Sequence, residues 1–281
     1  MQRADSRDSL WGIVREWRRQ GHIIALVPTM GNLHAGHLAL VKAARASADR
    51  VVTSIYVNPT QFGQGEDFGR YPRTLEQDLR KLDAEGCDLA FVPDEATMYP
   101  FEGDEAVRVR AAPALASVLE GEHRPGHFDG VVTVVARLFN LVGPDVAVFG
   151  EKDYQQLLVI RRLAEDMGYP LRILPVPTVR ESGGLAMSSR NQYLGDEDRS
   201  AALQLNGVLR EAVERLASGV GRERVERDAV ARLESAGFKV DYVAVRRAEN
   251  LAIPGGGESE LRVLAAARCG NTRLIDNLST K

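Results

Sequence analysis

Two histidines separated by Ala35-Gly36 stand directly after the apolar run Ile23 to Val27 and the turn Pro28-Thr29-Met30-Gly31-Asn32-Leu33. A strand feeds a Gly-bearing turn, and the turn opens a helix. The start of a helix gathers unpaired backbone N–H groups and the positive end of the dipole, so a phosphate binds there readily. His34 and His37 lie three residues apart on one helix face, where their imidazoles add hydrogen-bond donors for phosphate oxygens. The same pair could bind a metal, but a third ligand would be needed and no further His or Cys lies nearby in sequence. The motif points to a nucleotide whose phosphates react.

Four other groups have the residue types to join that chemistry. Gly150-Glu151-Lys152-Asp153 follows the apolar run Val146–Phe149. Asp153 can cap the next helix, and Lys152 is a cation at a strand's carboxyl end, where phosphate would sit. Asn58-Pro59 reads as a turn after Val51–Val57, while the amide of Gln61 could orient a carboxylate or hydroxyl. Gln155 and Gln156 offer the same amide chemistry, and a helix presents only one of the two to a given site. Met187-Ser188-Ser189-Arg190-Asn191 combines small hydroxyls with a cation on a loop that could close over a triphosphate. His123 and His127, flanking Arg124-Pro125-Gly126, read as surface-loop residues.

Positioning such groups is the task of the surrounding elements. The first half alternates strand-like runs (Ile23–Val27, Val51–Val57, Leu89–Val92, Val146–Phe149, Leu171–Val176) with helical patterns (Gly36–Ala48, Leu75–Glu85, Gly130–Val142, Tyr154–Met167). This alternation predicts an α/β fold with a doubly wound parallel sheet. Right-handed crossovers place the five strands in the order 3-2-1-4-5, with a ligand crevice beyond the carboxyl ends of the first and fourth. Thr74 with Gln77 predicts a capping box for the second helix, and Gly86 predicts its end. Leu75, Leu79 and Leu82 give that helix an apolar stripe. In Gly130–Val142 the valines favour a strand, whereas the length and the following Gly143-Pro144 favour a helix; helix is the expectation. Beyond about Pro177 the pattern becomes two helices followed by three strand-like runs. The predicted organisation is a Rossmann-like domain over 1–178 and a smaller α+β lid domain over 179–281.

Composition narrows the partners. At 281 residues and a formal net charge of −3, with acids and bases interspersed, the chain has no basic field for nucleic acid and no polybasic membrane anchor. Acids break up the Arg-rich stretches near Arg15–Arg19 and Arg222–Arg232, which read as solvated helix faces. Cys87 and Cys269 are the two cysteines, and two free thiols fit a reducing compartment. With no apolar signal core and no run long enough to span a bilayer, a soluble cytoplasmic protein is expected.

A set of blocks taken together resembles one family. Pro28-Thr29-Met30-Gly31 with His34-Ala35-Gly36-His37 is similar to the HxGH signature of the nucleotidyltransferase-type Rossmann superfamily, in its pantothenate synthetase version. The others are Tyr56–Phe62, Tyr71–Thr74, Gly126–Val131, Phe149–Leu157, Met187–Asn191 and Thr272–Asn277, in the family's order across nearly the whole chain. The resemblance implies a two-step ligase: ATP and (R)-pantoate give pantoyl adenylate and pyrophosphate, and β-alanine then displaces AMP. It assigns Met30, Gly31, Asn32, Leu33, His34, Ala35, Gly36 and His37 to ATP, with His37 as proton donor. Gly150, Glu151, Lys152, Asp153, Val179, Met187, Ser188, Ser189 and Arg190 line the rest of the nucleotide site. His34 and Lys152 join His37 as catalytic groups. Gln61 and Gln156 hold pantoate, and Gln61 also meets β-alanine, so the resemblance selects Gln156 over Gln155. Mg²⁺ accompanies ATP, with Asp78 as its candidate protein ligand, and a homodimer is implied. The competing readings are a cytidylyl- or adenylyltransferase acting on a phosphorylated acceptor, and a catalytically silent nucleotide-binding protein. Intact Lys152 and His34/His37 speak against the last.

Overall fold

A computed structural model describes residues 1–101, 103–258 and 260–281. The chain divides into two compact units, Met1–Glu151 with Val159–Pro177, and Lys152–Leu158 with Thr178–Lys281. Strands are numbered in chain order; among helices, only those of ten residues or more are numbered.

The first unit is built on β1 (Gln2–Ala4), β2 (Ile24–Thr29), β3 (Arg50–Ile55), β4 (Leu89–Phe91), β5 (Val146–Gly150) and β6 (Arg172–Val176). They form one parallel sheet in the order β1-β4-β3-β2-β5-β6. The five predicted strands stand in the predicted order, and the edge strand β1 is an addition. Three residues are too short to announce a strand in sequence, yet Gln2, Arg3 and Ala4 pair with Leu89, Ala90 and Phe91. Ile24, Ala25, Leu26 and Val27 are fully buried, as expected of a strand covered on both faces.

Helices α1 (Arg7–Arg19), α2 (Ala35–Arg45), α3 (Leu75–Ala84) and α4 (His127–Val142) belong to this unit. The region with conflicting signals is helical. In α4, Val131, Val132, Val134 and Val135 are all buried, so packing on every side overrides the strand preference of valine. Gly143 ends the helix in the left-handed conformation (φ 57°). Its N–H donates to the Phe139 carbonyl at 2.8 Å.

The end of α3 is also as predicted: Gly86 donates to Asp83 O and Cys87 to Leu82 O, both at 3.0 Å, with Gly86 at φ 75°. Its start is not. The Thr74 side chain makes no capping bond to the helix backbone and donates instead to Asp78 Oδ2 at 3.1 Å. The hydroxyl is turned to donate to a buried carboxylate, and in that rotamer its oxygen makes no capping bond to the helix amides.

Helix α5 (Tyr154–Asp166) follows β5, and its first residues belong to the second unit. That unit contains α6 (Asp196–Ala217), α7 (Arg222–Ser235) and an antiparallel sheet of β7 (Lys239–Arg247), β8 (Leu261–Cys269) and β9 (Thr272–Ser279) in that order. Leu205, Leu209, Leu233, Val245 and Val263 meet in its core. Both cysteines are free and buried. Among the described residues, no helix is long and apolar enough to cross a membrane.

Candidate active site

The loop leaving β2 is held by α3. Gly31 (φ 79°) and Asn32 (φ 50°) are both left-handed, a conformation that Gly adopts freely and Asn tolerates. The turn directs two successive amides to one carboxylate: Asn32 N–H donates to Asp78 Oδ2 and Leu33 N–H to Asp78 Oδ1, each at 2.8 Å. One turn further along α3, Lys81 Nζ donates to the Leu33 carbonyl at 2.5 Å. A Cβ on Gly31 would lie 3.1 Å from Asp78 Oδ2 and from Ile55 Cγ2, a tight fit that adds to the preference for glycine at this positive φ.

Asp78 is fully buried, and both its oxygens accept hydrogen bonds from the loop. These two bonds fix the backbone that precedes the histidines. Among the described residues, no cluster of three or more His, Cys, Asp or Glu is arranged to hold a metal ion.

The histidines are set by their own backbone. His34 is the N-cap of α2, and its Nδ1 accepts from Gly36 N–H at 3.2 Å. His37 Nδ1 accepts from His34 N–H at 3.3 Å, which completes a reciprocal capping box. The two rings lie against each other, tilted by 33°, with centroids 4.0 Å apart. An imidazole nitrogen that accepts carries no proton, so in this arrangement each ring holds its proton on Nε2. Both rings are therefore set as Nε2–H donors at a helix N-terminus, which is chemistry suited to an anion.

Beyond β3, Asn58 organises a second part of the first unit. It is 1% exposed; its Nδ2 donates to Gln61 Oε1 at 3.1 Å and to the Gly130 carbonyl at 3.2 Å. Its Oδ1 accepts from Tyr99 Oη at 2.7 Å. Burial pushes the Tyr99 phenol up, keeping it a donor. Gln61 Nε2 in turn reaches Met30 Sδ at 3.4 Å, so Gln61 lies beside the β2 loop. Gly130 is needed for the approach of α4: a Cβ there would come within 2.3 Å of the Thr60 carbonyl oxygen and 2.7 Å of Gln61 Cα.

Gly150 ends β5, Glu151 closes that segment of the first unit, and Lys152 begins the first segment of the second. Asn277 of β9 donates from Nδ2 to the Lys152 carbonyl at 2.9 Å. Arg262 of β8 donates to Asn277 Oδ1 at 2.7 Å and lies 3.8 Å over the Tyr154 ring. Lys152 Nζ lies 3.6 Å from Asp153 Oδ1. Gln155 is buried at 3% exposure, whereas Gln156 is partly exposed. Further along, Met187 N–H donates to the Val179 carbonyl at 2.9 Å, which brings two of the expected nucleotide residues side by side. Ser188 Oγ caps the following turn by accepting from Arg190 N–H at 3.2 Å. Asn191 anchors the loop through Glu181 Oε1 at 2.7 Å and the Ala186 carbonyl at 3.1 Å.

A family model described as pantoate-beta-alanine ligase matches residues 3–279. The chain belongs to the pantoate-beta-alanine ligase family. The pantothenate synthetase of Xanthomonas euvesicatoria pv. vesicatoria (strain 85-10) is 57% identical over 271 residues, covering 96% of each chain. The crystal structure of pantothenate synthetase from Thermus thermophilus superposes with a TM-score of 0.93 at 44% identity, over 100% of this chain and 99% of that one. Pantoate-beta-alanine ligase from Francisella tularensis, solved in complex with Beta-gamma ATP and beta-alanine, gives a TM-score of 0.85 at 34% identity, over 100% and 98% of the two chains.

Several residues around the ligase-family blocks escape a reading of the sequence alone. Asp78 carried a signal: it falls at helical spacing between Leu75 and Leu82, on the stripe that should be apolar. Asn58 did not, because Asn before Pro is accounted for by a turn. His127 departs from its surface-loop expectation; it is the first residue of α4 and is buried.

Proposed function

We propose that this chain condenses (R)-pantoate with β-alanine to pantothenate at the expense of ATP. In the first step a pantoate carboxylate oxygen attacks the α-phosphorus. The bond from that phosphorus to the bridging oxygen breaks, and pyrophosphate leaves. In the second, the β-alanine amine attacks the acyl carbon of pantoyl adenylate, an amide forms, and AMP leaves with the carboxylate oxygen. A carboxylate is already the nucleophile, so the first step requires no general base. It requires stabilisation of charge on the phosphoryl group and the departing pyrophosphate.

The observation that carries this reading is the pair of imidazoles set as Nε2–H donors at the start of α2. In our reading His34 and His37 donate to ATP phosphate oxygens, with His37 as proton donor, and Lys152 neutralises charge on the phosphates. Met30 to His37, Gly150 to Asp153, Val179 and Met187 to Arg190 bind the nucleotide. Gln61 and Gln156 hold pantoate, and Gln61 then meets β-alanine. ATP enters as its Mg²⁺ complex, the ion being held mainly by phosphate oxygens and water; both oxygens of Asp78 are already engaged by the loop. The enzyme acts as a cytoplasmic homodimer, which sedimentation would test for its assembly.

Pantoate labelled with ¹⁸O in its carboxylate provides the test. The reading expects one labelled oxygen in AMP after pantothenate forms. Unlabelled AMP, or ADP in stoichiometric amount, would mean attack elsewhere and would reject it.

A further inference from the structure

The sequence block Gly126–Val131 and the paired charges near it have no task in the mechanism above. In the structure they form a continuous chain of hydrogen bonds ending on Gln61. Glu66 grips Arg124 with both oxygens, accepting from Nε and from Nη2 at 2.7 Å each. Arg124 Nη1 lies 3.1 Å from His127 Nε2, and His127 Nδ1 lies 2.7 Å from the Gln61 carbonyl oxygen. A guanidinium cannot accept a hydrogen bond and a carbonyl cannot donate one. The chain therefore has a single polarity: Arg124 donates to Nε2, and Nδ1–H donates to Gln61.

Each link is over-determined. Arg124 Nη2 also reaches the Gln61 carbonyl at 3.4 Å, and the His127 ring packs edge-on against Phe128 with centroids 5.0 Å apart. Burial, aided by the charge of Arg124, holds His127 down to about 4, so Nε2 stays an acceptor at neutral pH. Burial works to raise Glu66, but the hydrogen bond and charge of Arg124 outweigh it and hold the carboxyl below its usual range. The side chain of Gln61 is fixed separately, through Asn58 Nδ2 on Oε1. Backbone and amide of the one residue are thus held by separate partners.

We propose that Arg124 and His127 are positioning residues for Gln61, and that Glu66 holds Arg124 in place for this role. The proposal rests on the reading of Gln61 as the residue that meets pantoate and then β-alanine. None of the three side chains is assigned contact with a reacting atom; they set where the Gln61 amide stands when substrate arrives.

Steady-state kinetics with each substrate varied in turn tests it. His127→Leu removes the donor, whereas His127→Asn keeps an N–H close to the position of Nδ1. We expect His127→Leu to raise the KM for pantoate about tenfold, the equivalent of one lost hydrogen bond. The KM for ATP should stay within about twofold, and His127→Asn should recover most of the loss. Arg124→Lys keeps the charge but loses the fork; it should give the same split even if His127→Leu does not fold. A pantoate KM unchanged in the folded variants, or an ATP KM that rises equally, would overturn the proposal. Gln61→Ala separates the two levels: if it leaves the pantoate KM unchanged, the reading of Gln61 fails. If it raises that KM while Arg124→Lys and His127→Leu do not, the positioning proposal alone fails.

Discussion

Asp78→Asn is the most informative single change, because the shape of the side chain is kept and only its acceptors alter. In the native loop one carboxylate receives Asn32 N–H and Leu33 N–H at 2.8 Å and the Thr74 hydroxyl at 3.1 Å. An asparagine has one acceptor and one donor group, so in either orientation one of the two amides faces an N–H₂. The orphaned amide costs about 1–3 kcal/mol, and the surviving bond loses its charge assistance, about another 1 kcal/mol. Relief of the buried charge offsets part of this, leaving a net loss of about 2–3 kcal/mol. Urea unfolding should report that loss as a lower midpoint with an unchanged slope. The ATP KM should rise, because the displaced amides immediately precede His34. A metal ligand would behave otherwise: stability would hold, and the Mg²⁺ concentration for half-maximal rate would climb. That pattern would refute the loop-fixing role.

Three further outcomes follow from the same geometry. His127 is held at about 4 instead of 6.5, so the unfolded chain binds more protons between those values and stability falls as pH drops through that window. The full loss is about 3 kcal/mol; urea unfolding from pH 7 to 4 should show His127→Asn losing less than the wild type, and parallel curves would count against a buried neutral imidazole. Lys152→Ala should lower pantoate-dependent pyrophosphate exchange by about a hundredfold or more with the circular dichroism spectrum retained, whereas near-normal exchange would remove Lys152 from the site. Asn277→Asp keeps the acceptor for Arg262 but loses the donor to the Lys152 carbonyl. It should reduce kcat about tenfold and, by orphaning a partly buried carbonyl, cost about 1–3 kcal/mol of stability; an unchanged kcat in the folded variant would dissociate β9 from the placement of Lys152.

Periodicity and punctuation were enough to read the architecture. Alternating strand and helix patterns, with the handedness of crossovers, predict the order of five strands, and Gly86 and Gly143 mark the helix ends they occupy. What escaped depends on contacts between distant segments. Strand β1 is three residues long and exists because β4 offers it an edge. Thr74 stands at the N-cap of α3 without a side-chain capping bond, because its hydroxyl is turned to donate to Asp78, which faces inward to the β2 loop. The setting of His34 and His37 is legible since strand, turn and helix start are contiguous, and their tautomers follow from a local capping box. The support of Gln61 was not, because Glu66, Arg124 and His127 are joined only by the fold. Surface histidines and buried ones look alike until the burial of α4 is known.

In the proposed first step pantoate is the partner of ATP, and the nucleotide alone does not react. Incubating the protein with ATP and labelled pyrophosphate measures this directly. Label should enter ATP when (R)-pantoate is added, without any need for β-alanine. Exchange that proceeds equally without pantoate, or that appears only when β-alanine is present, would contradict it.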